Sequence, residues 1–286
     1  MTSEEIIAQG DKYLAGNTDL NKRIFKRLIK YLSENTVQGK IMMSAQDLAV
    51  LEDIIYEQIK ESDYEENISK YLELITALDN AISKEQFERN RIKAQSIKDM
   101  WTSEQQRTVM IEKVVYDLGQ NGMKDYFVKG ISEVVRDANF FNLTLSDAVE
   151  QLQKVLVDDD YTTRYIRGTA GDALAEYAGA IEDKVAEVYE LNTMLYIGNV
   201  IETSRPICDH IRDDLRGRVS REKLKQVLNE YCPNGKPSQQ YIQYSTVSGE
   251  KYRAKKGAGM KEGTRIDNFS QLRGGWGCRH KAVWVR

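Results

Sequence analysis

Both histidines of this chain stand two residues after a cysteine, in Cys208-Asp209-His210 and in Cys278-Arg279-His280. The one other cysteine is Cys232. Two thiols and two imidazoles are the ligand set of a closed tetrahedral zinc site. The spacing suits an extended backbone, where residues i and i+2 project to one face. In a helix they do not face each other. The flanks read as strands: MLYIGNVI over Met194 to Ile201 before the first pair, KAVWVR after the second. One structural zinc ion held by Cys208, His210, Cys278 and His280 is therefore one expectation. Two others stay open on the same residues. The four can pack as a cysteine/histidine cluster without metal, because a thiol behaves as a small hydrophobe. A Cys208–Cys278 disulfide is the third, and three cysteines in a chain expected to fold in a reducing cytoplasm disfavour it.

A second group with chemical meaning lies between the pairs. Lys251, Arg253, Lys255, Lys256, Lys261 and Arg265 fall in a glycine-rich stretch that reads as a loop. Such a loop suits phosphates, and would bind nucleic acid without sequence preference. The plainer reading is a solvated basic surface. Charge is unevenly spread along the chain. From Ile201 to Arg286 there are 18 Lys and Arg against 9 Asp and Glu, net +9, within a total of −3. An acidic body with a basic end points to a polyanion or an acidic protein surface as partner.

The elements that must position these residues divide the chain near residues 190 to 195. Residues 1–192 read as helix after helix, and 193–286 as a small α+β module rich in glycine and turns. The class is α+β, mainly α. Leu20, Ile24, Phe25, Leu28, Ile29 and Leu32 form an apolar stripe, with Lys22, Arg23, Lys26, Arg27 and Lys30 on the other face. Ser44 and Asp47 have the spacing of a capping box. From Asp63 to about Trp101 the helical pattern runs without Pro or Gly, so one long central helix is expected there. From Tyr161 to Leu191 runs a helix dense in Gly and Ala, which permits close approach of a neighbour. Ser220 is placed to cap a helix from Arg221 to Tyr231. No run of 18 apolar residues occurs, so no membrane span is expected. The acidic MTSEEIIAQG start lacks the apolar stretch of a secretory signal.

The C-terminal module resembles that of the Mu F-like head morphogenesis proteins, the minor head proteins of tailed phages. In that family a strand leads into Asp-x-Arg-x-Cys-x-x-Cys, and His-Pro-x-Cys-Arg-Cys precedes an apolar strand. Here the opening is Thr203-Ser204-Arg205-Pro206-Ile207-Cys208-Asp209-His210, with Gly217 following. The closing is Gly275-Trp276-Gly277-Cys278-Arg279-His280, then KAVWV. Thr203 stands for the family Asp, Gly275 for its His, and His280 for its last Cys; His210 lies one position before the second Cys of the first pair. The resemblance covers about 80 to 90 residues.

It implies a non-enzymatic virion protein, assembled in the host cytoplasm and present in several copies in the phage head. The implied partners are the portal protein, other head proteins and packaged double-stranded DNA, with no membrane. It implies a role in head assembly, extending to DNA packaging or ejection. Two alternatives compete. One is a nuclease or toxin-like transferase that gathers His210, His280, Arg205, Arg279 and Lys281 around a phosphate. The other is a DNA-binding module that uses the basic loop alone.

Overall fold

The computed structural model describes residues 1–14, 18–119, 122, 128–158, 161–198, 204–238, 243–244, 251–252, 260–272 and 280–286. Twelve α-helices and seven short strands occur among them, which is the mainly-α α+β class the sequence calls for. No helix among the described residues is long and apolar enough to cross a membrane. The chain divides into two compact units, and both are assembled from segments distant in sequence.

One unit comprises residues 8–75 and 109–171. Its helices include α2 (Thr18–Glu34), α3 (Ala45–Lys60), α6 (Gln105–Leu118, entering at Val109), α7 (Lys129–Phe140) and α8 (Leu145–Gln153). Leu20, Ile24, Leu28 and Leu32 are fully buried, so the α2 stripe faces the core as its 3- to 4-residue spacing requires. A hairpin links α2 to α3: β1 (Thr36–Val37) pairs with β2 (Lys40–Ile41). Its turn residues Gln38 and Gly39 have φ +52° and +78°, the paired positive values of a two-residue hairpin turn. Ser44 caps α3 in a capping box with Asp47. Thr144 and Asp147 form a second box at α8.

The other unit comprises residues 1–7, 76–108 and 172–286. It holds most of α4 (Tyr64–Asn90), α5 (Ala94–Thr102), the second half of α9 (Tyr161–Val188), α10 (Pro206–Asp209), α11 (Arg221–Tyr231) and α12 (Phe269–Leu272). Its sheet has the order β4-β3-β7, antiparallel throughout, with β3 (Thr193–Ile197) between β4 (Arg218–Ser220) and β7 (Lys281–Val285). Met194 pairs with Trp284 and Tyr196 with Ala282, and all four are buried. They form the inward face. A further strand pair, β5 (Gln243–Tyr244) with β6 (Lys251–Tyr252), and helix α1 (Ser3–Leu14), whose residues fall in both units, complete the α-helices and strands among the described residues.

Two expectations about organisation are corrected here. The helix expected over 63–101 is two helices, α4 and α5. Arg91 takes a left-handed conformation, φ +59°, and ends α4. Asn90 beside it turns its side chain to the C-terminal strand: its amide donates to Trp284 O at 2.9 Å, and its Oδ1 accepts from Arg286 N at 3.1 Å. The C-terminal module, in turn, does not form a unit by itself. Its sheet shares a compact unit with residues 76–108 and 172–192, because β7's polar partners lie on α4 and α9.

Candidate functional site

Strands β3 and β7 position His280 beside Tyr196. These strands pair over five residues, from Thr193↔Val285 to Ile197↔Lys281. That register sets His280, just before β7, beside the end of β3. Tyr196 is the residue the sequence reading missed. Its ring stacks on His280, centroids 4.9 Å apart and planes 10° apart, and lies 6.1 Å from the Phe269 ring. Its hydroxyl is hydrogen-bonded to the Cys208 thiol at 3.3 Å. Cys208, Tyr196 and His280 are all buried. A buried aromatic near the end of an apolar run, two residues before Gly198, was the available signal.

The glycine that follows makes this contact possible. Gly198 has φ +140°, and a Cβ there would lie 2.7 Å from His280 Cδ2. Gly217, φ +66°, plays a similar part on the far side: a Cβ would meet Arg212 Nη1 at 2.4 Å and Tyr196 O at 2.8 Å. Arg212 donates to that same Tyr196 carbonyl at 3.0 Å, and Gly217 O accepts from Tyr196 N at 2.7 Å.

The backbone at the first pair is helical and not extended. Pro206 opens α10, and a π-helical turn, His210–Asp214, continues it. Proline at the first helical position is favoured because the missing N–H has no helical partner there. Cys208 and His210 accordingly point in different directions. His210 Nδ1 is 2.7 Å from Asp214 Oδ2, and its ring stacks on Tyr231 at 5.5 Å. The expected set therefore separates: Cys208 and His280 flank Tyr196, His210 belongs to a different local contact, and Cys278 lies outside the described residues. Among the described residues no group of three or more His, Cys, Asp or Glu side chains is placed to hold a metal ion. At Asp209, next to His210 in the chain, burial pushes the carboxyl above the usual carboxylate range; nearby Asp213 adds to this and His280 opposes it.

Of the cations assigned to phosphate, Lys261 is committed elsewhere. Its ammonium pairs with Glu176 and stands 3.8 Å from Asp172, both on α9. It pins the loop to the helix and is not presented to a nucleic acid. Arg265 is exposed. Lys251 contributes its backbone to β6, opposite Tyr244. Arg253, Lys255 and Lys256 lie outside the described residues, as does Arg279. Lys281 is likewise engaged: its ammonium donates to Ser3 Oγ at 2.7 Å and to Glu85 Oε2 at 2.9 Å. Burial raises the Glu85 carboxyl, but the Ser3 backbone N–H and Lys281 outweigh it and hold the group below its ordinary value.

A buried polar network lies under the sheet, built on two adjacent carboxylates of α9. Glu182 accepts from Gln86 at 2.7 Å and is paired with Arg89. Asp183 accepts from Trp284 Nε1 at 3.0 Å, Ser270 N at 3.1 Å and Gln271 N at 2.9 Å. Burial pushes the Asp183 carboxyl up to about 7, against the pull of those hydrogen bonds. Burial also raises Glu182, opposed by Arg89. Two consecutive acids inside the Ala/Gly-rich run AGAIEDKVA were a legible sign of this network. Close by, Trp101 Nε1 donates to Tyr177 Oη at 2.9 Å, which donates to Asp79 at 2.8 Å, and Arg107 pairs with Asp79 at 3.2 Å.

What these clusters do chemically is hold elements together. Lys281, Glu182 and Asp183 have their polar atoms occupied by partners within the unit, and Cys208 and His280 are enclosed around Tyr196. No protein family, no curated protein and no solved structure matches the chain.

Proposed function

We propose that the protein is a structural component of a tailed-phage head, assembled at the portal vertex, with the C-terminal sheet as its organising module. One observation carries this reading. The strand entering the first cysteine/histidine pair and the strand leaving the second are direct neighbours, so both ends of the motif resemblance meet around Tyr196. A motif closed in this way acts as a clasp. The occupied state of Lys281 and the burial of His280 favour a structural role over phosphate chemistry at these residues. In this reading DNA contact rests on the exposed Arg265 and not on Lys261.

The test is location. Tailed-phage heads purified from the strain that encodes the chain, labelled with gold-tagged antibody, should carry label at a single vertex. Label spread over all vertices, or heads that lack the protein by mass spectrometry, would overturn the proposal. Metal analysis of protein purified without chelator examines the clasp itself. One zinc per chain, lost on Cys208→Ser, adds a metal to it; no zinc leaves it a packed core of Cys, His and Tyr.

A further inference from the structure

Helix α2 carries a row of cations with a counterpart on its neighbour. Lys22, Lys26 and Lys30 stand at i, i+4 and i+8, and all three are exposed. Helix α3, which packs against α2, presents Asp53, Glu57 and Glu61 at the same spacing, also exposed, with Glu61 just past the helix end. Each row runs about 12 Å at 1.5 Å per residue. Among the described residues none of these six charges takes part in an ion pair, although the two helices lie side by side. Between them lies a groove of about 180 Å³, lined on the α2 wall by Arg27, Lys30, Tyr31 and, at the helix end, Glu34, and on the α3 wall by Ile54, Glu57, Gln58 and Glu61.

We infer that this two-signed face is an interface between two copies of the chain. A twofold axis sets the same patch of each subunit against the other, so residue i meets j and j meets i. The basic row of one copy then lies on the acidic row of its partner, and the acidic row of the first on the basic row of the second. Equal spacing lets three pairs form on each side of the axis. The pattern also selects this occupant over a nucleic acid. A phosphate backbone laid on Lys22, Lys26 and Lys30 would meet Glu57 and Glu61 across the groove, and like charges repel. The inference stands on the 8–75 and 109–171 unit alone and is independent of the head-protein reading.

The test uses the full chain and two charge-reversal variants, Lys22→Glu/Lys26→Glu/Lys30→Glu and Asp53→Lys/Glu57→Lys/Glu61→Lys. All six positions are exposed, so both variants should keep the parent circular dichroism spectrum. Sedimentation equilibrium should show a dimer at about 50 mM salt that weakens at about 500 mM, as screening of surface pairs requires. Each variant alone should dissociate about tenfold or more readily. An equimolar mixture of the two should recover the dimer, because the reversed rows complement each other in the mixed pair. A wild-type monomer at low salt overturns the inference. So does a mixture that stays monomeric, or an acidic-row variant that dimerises like the parent, which would signal a different acidic partner for α2.

Discussion

At the scale of single residues, the clasp depends on what is missing at Gly198. Any side chain there faces two costs at once: a backbone in the region open to glycine, and a Cβ 2.7 Å from the His280 ring. Gly198→Ala should destabilise the unit by about 1–3 kcal/mol. Urea unfolding reads the loss. The buried acid Asp183 makes a pH-dependent prediction. Its folded-state value is raised to about 7, so the native state keeps the proton where the unfolded chain has released it. This contribution is fully present below about pH 4 and is lost as pH rises to about 7. Asp183→Asn should lower stability overall, because its NH2 replaces one of the two oxygens that accept from the Ser270 and Gln271 N–H groups and sets donor against donor there. It should also flatten the decline between those pH values, measured as urea midpoints at several pH. A variant with the parent's slope would mean Asp183 is charged throughout. These groups were only partly legible. The Cys-x-His pairs announced a cluster, but the partner that unites Cys208 with His280 is a tyrosine, whose role depends on strand register and not on local spacing.

At the scale of elements, α9 shows why small residues were selected. A Cβ on Gly179 would lie 2.1 Å from Ser270 O and 2.4 Å from its carbonyl carbon. One turn further on, Asp183 receives the Ser270 and Gln271 N–H groups at the start of α12. Together these two positions dock α12 directly on the helix. Gly179→Ala should push α12 away and cost about 1–3 kcal/mol or more, since the obstacle is backbone and cannot rotate aside. Hydrogen exchange at Ser270 and Gln271 should accelerate by the same cause. The break between α4 and α5 gives a prediction of opposite sign. Arg91 has φ +59°, and Arg91→Gly should stabilise the protein by up to about 1 kcal/mol, read as a higher melting temperature. Caps, stripes and the terminal strands were legible because they are written in neighbouring residues. The break at Arg91 was not, since an arginine gives no warning of a left-handed turn. It is held by Asn90, whose partners are 194 and 196 residues away. The helical backbone at Cys208 overrode the strand expectation for a local reason: Pro206 starts a helix as readily as it ends a strand.

At the scale of the whole molecule, composition marked a change of texture near residue 193 but not the unit that carries it. Texture records local preference, whereas the unit is defined by the surfaces β3 and β7 must cover. Asn90, Glu182 and Asp183 lie upstream of that boundary and hold Trp284 on three sides. A fragment of residues 193–286 should therefore be unfolded by circular dichroism and proton NMR, and addition of the 1–192 fragment should restore dispersed signals. A folded 193–286 fragment would show that the network is dispensable. Discontinuity also bears on synthesis. Ser3 and Lys281 are joined across 278 residues. At about 5–20 residues per second a ribosome takes roughly 15–55 s to make that span. For that interval Ser3 awaits its ammonium; Glu85 waits for the 196 residues that separate it from Lys281, and the two α9 carboxylates for the 102 and 101 residues that separate them from Trp284. A chaperone that shelters the emerging chain would find its client here, in the first segments made and the last completed.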